Sequence, residues 1–146
     1  MKKTIYIPLL MLLAACGENS SERTDGYSHT SKDPVDSLFQ AVMDEHDTAM
    51  SKMGKLTKAQ TQITERIDSL KKAKGKQDTA SLATVRTDLK TAQDNMNEWM
   101  EKFSIDSAQD NTELRKQYLT SEKEKVSRVK EEIVTALSKA DSALKR

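Results

Sequence analysis

The feature that most narrows the fold of this chain is a run of seam residues spaced alternately three and four apart without a slip. It passes through Phe39, Val42, His46, Ala49, Met53, Leu56, Gln60, Ile63, Ile67 and Leu70. That is a heptad repeat with Phe39, His46, Met53, Gln60 and Ile67 at its a positions, the period of a helix that winds about partners. A strand would scatter these residues over both of its faces. Asp33 is a good N-cap, and Pro34 suits the first helical position, where its missing N–H is not needed. Lys71-Lys72-Ala73-Lys74 complements a helix C-terminus, and Gly75 is a stop. The pattern predicts a helix over 34–74.

Two more helices follow on the same reasoning. The second, over about 78–103, carries the seam Leu82, Val85, Leu89, Ala92, Met96, Trp99, Phe103. Ser104-Ile105-Asp106-Ser107 is turn-like, because Ser and Asp favour caps and bends. The third, over about 109–145, carries Leu119, Glu122, Val126, Val129, Ile133, Ala136 and Ala140, with Leu137 and Leu144 widening the face. Four Gly and two Pro in 146 residues are too few for a turn-rich β-sandwich or a glycine-cradled nucleotide site. The expected fold is all-α, a single antiparallel three-helix bundle over 34–146 with short connections. The rival is a long helical hairpin that closes its seam by dimerising.

A tight fold-back at Gly75 sets a register. It pairs Leu70 with Leu82, Ile63 with Leu89, Leu56 with Met96 and Met53 with Trp99. The second turn then brings Leu119 to the Leu56–Met96 layer and Glu122 to the Gln60–Ala92 layer. Gln60 and Glu122 would so form one buried polar layer, which fixes register at a cost in stability.

The N-terminal residues read differently. Lys2 and Lys3 precede an apolar run from Ile5 to Ala15, broken only by Pro8. The run is too short to span a bilayer stably and has the form of a signal-peptide core. It ends in Leu13-Ala14-Ala15-Cys16, which resembles the bacterial lipobox, where small residues let the signal peptidase cut and the Cys carries lipid. Residues 1–15 are then a signal peptide, and Cys16, the one cysteine of the chain, is the lipidation site, carrying diacylglycerol and a fatty acid such as palmitate. Lipid chains there would hold the protein at a membrane surface. In the lipoproteins it resembles, a residue other than Asp after the Cys favours the outer membrane; here it is Gly17. The expected location is the cell envelope, on the outer membrane facing the periplasm. Residues 16–33 hold polar residues without apolar period and read as a flexible tether, with Tyr27 and His29 as linker residues.

Methionine is concentrated at one end of the expected bundle. Met43, Met50, Met53, Met96 and Met100 all fall there, together with Phe39, His46, Trp99 and Phe103. Met43, His46, Met50 and Met53 share one helix face by their spacing. Gly54 beside them suggests a close approach or a hinge, since glycine weakens a helix interior. The plain reading is adaptable core filling around bulky aromatics. A second reading is a soft-ligand metal site of His46 with Met50 and Met53, or Met43, because imidazole and thioether ligands select Cu(I) or haem iron. A third is an interaction surface of Met43, Met50, Met96, Trp99, Met100 and Phe103 that takes hydrophobic segments of envelope proteins, as a chaperone would.

The stretch from Ala41 to Gly54 contains His46-Asp47-Thr48-Ala49-Met50-Ser51-Lys52-Met53-Gly54, and Met96-Asn97-Glu98-Trp99-Met100-Glu101-Lys102-Phe103 follows later. Both are similar to stretches of small Bacteroidetes lipoproteins that are often labelled "viral A-type inclusion protein". The likeness covers the leader, the first half of the first helix and the end of the second, about a third of the chain. It implies an anchored helical lipoprotein without an assigned activity, and it supplies no catalytic residues.

Function classes narrow accordingly. A formal charge of +1, from 24 basic and 23 acidic side chains, gives no field for nucleic acid. No nucleophile elbow, phosphate loop or paired catalytic carboxylates is present, so an enzyme is not expected, nor a small-molecule substrate. The expectation is a non-enzymatic interaction or structural module of the envelope. Its partners are the membrane, through the lipid on Cys16, and an envelope protein still to be identified. No cofactor is expected, unless the copper or haem reading holds.

Overall fold

The computed structural model describes residues 33–73 and 79–145. The leader, Cys16, most of the tether and Gly75 lie outside the described residues. Three helices pack together: α1 (Pro34–Lys72), α2 (Ala80–Lys102) and α3 (Thr112–Leu144). The described residues form no strand, so the fold is an all-α three-helix bundle. At 1.5 Å per residue α1 is about 58 Å long.

The helix ends follow local chemistry. The Asp33 carboxylate accepts from the Val35 N–H at 2.8 Å, and Pro34 opens the first turn. Ala73 is already extended (φ −65°, ψ 137°), so α1 stops short of residue 74. Thr79 lies outside helical geometry and gives no side-chain cap, so α2 begins at Ala80 rather than near 78. Asn111 caps α3 by accepting from the Leu114 N–H at 3.0 Å, which moves its start from about 109 to Thr112. Between them the connection 103–111 makes two turns, Ser107 N–H to Ser104 C=O and Asn111 N–H to Ala108 C=O. Ala108 there has φ 56°, a conformation that L-residues adopt at a cost.

The core is built mainly on one half of the α1 seam. Val42, Ala49, Leu56 and Ile63, the d positions, are wholly buried, whereas Phe39, His46, Met53 and Gln60, at a, are half-buried. The a stripe thus runs along the edge of the core from Phe39 to Gln60, where polar His46 and Gln60 can reach solvent or a partner, and turns inward only at Ile67. Leu89, Met96, Leu119, Val126 and Ile133 complete the centre from α2 and α3.

Cross-helix contacts set the topology. Phe39 stacks on Phe103 and His46 on Trp99, so α1 and α2 are antiparallel. Lys139 reaches Asp88, and Asn95 reaches Glu132, so α2 and α3 are antiparallel too. Arg115 lies over Phe39, and Lys130 pairs with Glu45, so α3 runs parallel to α1.

These pairs correct the register read from the sequence. Between α1 and α2 the outcome is mixed: Trp99 packs on His46 rather than Met53, whereas Gln60 reaches Gln93, beside the expected Ala92. Glu122 meets Trp99, one heptad from the expected Ala92. The main displacement is that of α3: Arg115 over Phe39 and Lys130 on Glu45 place it about two to three heptads nearer the start of α1 than expected. The cause is the periodicity itself: a seam that repeats every seven residues accepts a seven-residue slip, and the connection 103–111 is too long to hold a tight turn. Gly54 is corrected as well. It is exposed, α1 continues through it, and a Cβ there would meet nothing within 4 Å, so it marks neither a close approach nor a hinge.

Candidate functional site

The end of the bundle that carries the connection 103–111 is where the unusual chemistry gathers. The turn after α2 lays Phe103 against Trp99 at 4.9 Å between ring centroids. Phe103 also stacks with Phe39 at 6.4 Å from α1 and with Tyr118 at 6.1 Å from α3. The three helices are therefore joined here through one aromatic stack, a geometry that adds to simple area burial. Arg115, only 8% exposed, covers this stack with its guanidinium 6.0 Å from Phe39 and 5.9 Å from Tyr118. Its Nη1 donates to the Ser107 carbonyl at 2.7 Å, and the Tyr118 hydroxyl accepts from the Ser104 N–H at 2.7 Å. Side chains of α3 thereby hold the connection in shape.

One layer further in, the Trp99 Nε1–H donates to Glu122 at 2.9 Å, and Lys125 donates to the other carboxylate oxygen at 2.7 Å. Glu122 is buried, and both of its oxygens have donors, as a buried carboxylate requires. Gln60 is half-buried and donates to Gln93 at 2.8 Å. The expected Gln60–Glu122 layer is therefore replaced by two separate polar contacts, because the slip carries Glu122 to the tryptophan. On the α1–α3 side, Lys130 approaches Glu45 at 2.5 Å as an ion pair rather than a well-directed hydrogen bond. The Lys130 contact holds the Glu45 carboxyl below its usual range against the opposing effect of burial, with Ser127 and Lys123 adding to it.

The methionines do not form one surface. Met96 is wholly buried and Trp99 is 6% exposed, so both belong to the core and not to an interaction surface. Met43, Met53 and Phe103 are half-buried, and Met50 and Met100 are exposed. His46 packs its ring on Trp99 at 5.6 Å, and its Nδ1 is 2.9 Å from the Asp47 carboxylate. A copper or haem iron at His46 would have to use Nε2, with Met43, Met50 and Met53 as the neighbouring thioethers. Among the described residues no group of three or more His, Cys, Asp or Glu is placed to hold a metal ion.

A separate open cleft of about 640 Å³ runs between α1 and α2. Thr57, Thr61 and Thr64 line one wall, and Arg86, Thr87 and Lys90 the other. Four of these hydroxyls, those of Thr57, Thr61, Thr64 and Thr87, donate to carbonyls of their own helix. They are committed to the backbone, and with Glu65 also on its lining the cleft is a polar groove of mixed charge.

Arg115 and Tyr118 are the residues that the sequence reading missed. The clue was present for Arg115, four residues before Leu119 on the α3 seam, but an arginine reads as a surface residue. Ile105 and Leu114, 56% and 53% exposed, are a further pair that the seam pattern does not single out. Compared with known protein families, curated proteins and solved structures, the chain matches none of them.

Proposed function

We propose that this chain is a membrane-anchored helical lipoprotein of the bacterial envelope, a non-enzymatic interaction or structural module held at the periplasmic face of the outer membrane. The observation that carries the reading is Leu13-Ala14-Ala15-Cys16 at the end of a charged and apolar leader, with the chain's one Cys at the position that receives lipid. The three-helix rod supports it. Its buried polar groups, Arg115 and Glu122, go to packing and to contacts between elements. Among the described residues no helix is long and apolar enough to cross a membrane, and the reading assigns attachment to the acyl chains of Cys16. Contact with other envelope proteins falls to the exposed Met50 and Met100, since flexible thioethers adapt to varied apolar partners.

The test is metabolic labelling with palmitate in cells that express the full chain. The wild-type protein is expected to take up label and to sediment with membranes. Cys16→Ala is expected to lose the label and appear in the soluble fraction. An unlabelled, soluble wild-type protein overturns the reading.

A further inference from the structure

We propose that the end of the bundle carrying the connection 103–111 rests on the bilayer surface itself, with Ile105 and Leu114 as the inserted side chains. The inference builds on the Cys16 anchor reading and adds a second, direct lipid contact. Ile105 and Leu114 are the most exposed large hydrophobic residues described; Ile105 lies in the connection 103–111 and Leu114 in the first turn of α3 that follows it. Ile105 is not there for want of a place in the core. The connection is held from beneath by Tyr118 on Ser104, by Arg115 on Ser107 and by a Gln109–Asp106 hydrogen bond. A turn fixed in this way keeps its aliphatic side chain outward, so little ordering is left to oppose insertion.

The chain outside the structure says what this end faces. Phe39 near the start of α1 touches Phe103, and Arg115 covers both helices' ends, so the N-terminus of α1 and the connection 103–111 share one end. Seventeen residue steps separate Cys16 from Asp33. At most about 3.5 Å per residue, they reach about 60 Å; on the sequence reading of 16–33 as a flexible polar tether, the average span is roughly 20–25 Å. A lipid on Cys16 thus keeps this end, and not the far end of the rod, beside the bilayer at an effective concentration on the order of millimolar. Two aliphatic side chains, weak alone, then suffice.

Charge selects the kind of surface. Over 101–116 the acidic residues are Glu101, Asp106, Asp110 and Glu113, against Lys102, Arg115 and Lys116. Arg115 is buried, so the exposed balance is acidic. The surface that fits is zwitterionic, such as phosphatidylethanolamine, and not an anionic one.

The experiment uses the full lipidated chain on phosphatidylethanolamine–phosphatidylcholine vesicles containing nitroxide-labelled acyl chains. A bimane fluorophore is placed through Ile105→Cys or, as a control on the side of α3, Val134→Cys. Bimane at position 105 is expected to be quenched several-fold more than at 134. Adding Leu114→Asp to the Ile105→Cys chain is expected to bring quenching down to the control level, with the helical circular dichroism unchanged. Replacing part of the lipid by phosphatidylglycerol is expected to lower it. Protein that floats with the vesicles but is quenched equally at both positions overturns the lipid contact alone, and leaves the connection to a protein partner. Stronger quenching on phosphatidylglycerol overturns the zwitterionic choice. Protein that does not float overturns the anchor and this inference together.

Discussion

Glu122 shows how a polar residue survives in a heptad core. Its carboxylate takes the indole N–H of Trp99 and the ammonium of Lys125, so the cost of burial is met at both oxygens. Removing it leaves the buried Trp99 N–H without an acceptor, which costs about 1–3 kcal/mol. Glu122→Ala is therefore expected to lower unfolding stability by that amount. Glu122→Gln keeps an acceptor of the same shape and is expected to lose less than half as much. Urea titration followed by the fluorescence of Trp99, the one tryptophan, measures both; equal losses would show that the carboxamide cannot replace the charge. Gln60 and Glu122 were legible in the sequence as the polar members of the seam. Their partners were not, because the pattern says which side chains face inward but not which layer they share.

Single helices were the most legible scale. The apolar spacing, Asp33-Pro34 and the turn chemistry of Ser104-Ile105-Asp106-Ser107 placed α1, α2 and α3, and only their ends moved. Those ends moved for local reasons: Asn111 captures the start of α3, and Phe103 leaves the helix as its C-cap. Gly54 was misread because a glycine in a helix carries no sign of what lies above it. Nothing does lie above it: the position is exposed and open, inside an unbroken α1. Gly54→Ala therefore adds no clash and removes the backbone freedom that glycine gives the unfolded chain. It is expected to raise stability by about 0.5–1 kcal/mol, seen as a higher melting temperature. A lower one would mean that α1 needs a bare backbone at this point.

The least legible scale was the relation of the three helices to one another. Each hairpin of this bundle could close in any register separated by seven residues without exposing the seam, and the side contacts decide among them. The Phe39–Phe103–Tyr118 stack ties the three helices at one end, and the Asp88–Lys139 pair, at 2.7 Å, ties α2 to α3 towards the other. In the register that places Glu122 beside Ala92, Lys139 would lie level with Gly75, and Asp88 would face Lys125, two heptads before Lys139 at the same seam position. A double-mutant cycle therefore reads the register directly. Asp88→Ala, Lys139→Ala and the double variant are expected to show a coupling of about 0.2–1 kcal/mol in urea titrations at low salt, shrinking as salt is added. The Lys90–Asp94 pair lies within α2, so its own cycle stays the same in every register and supplies the scale for comparison. Coupling at Lys90–Asp94 with none at Asp88–Lys139 would place α3 in another register. It would also move Arg115 and Tyr118 away from the connection that holds Ile105 outward.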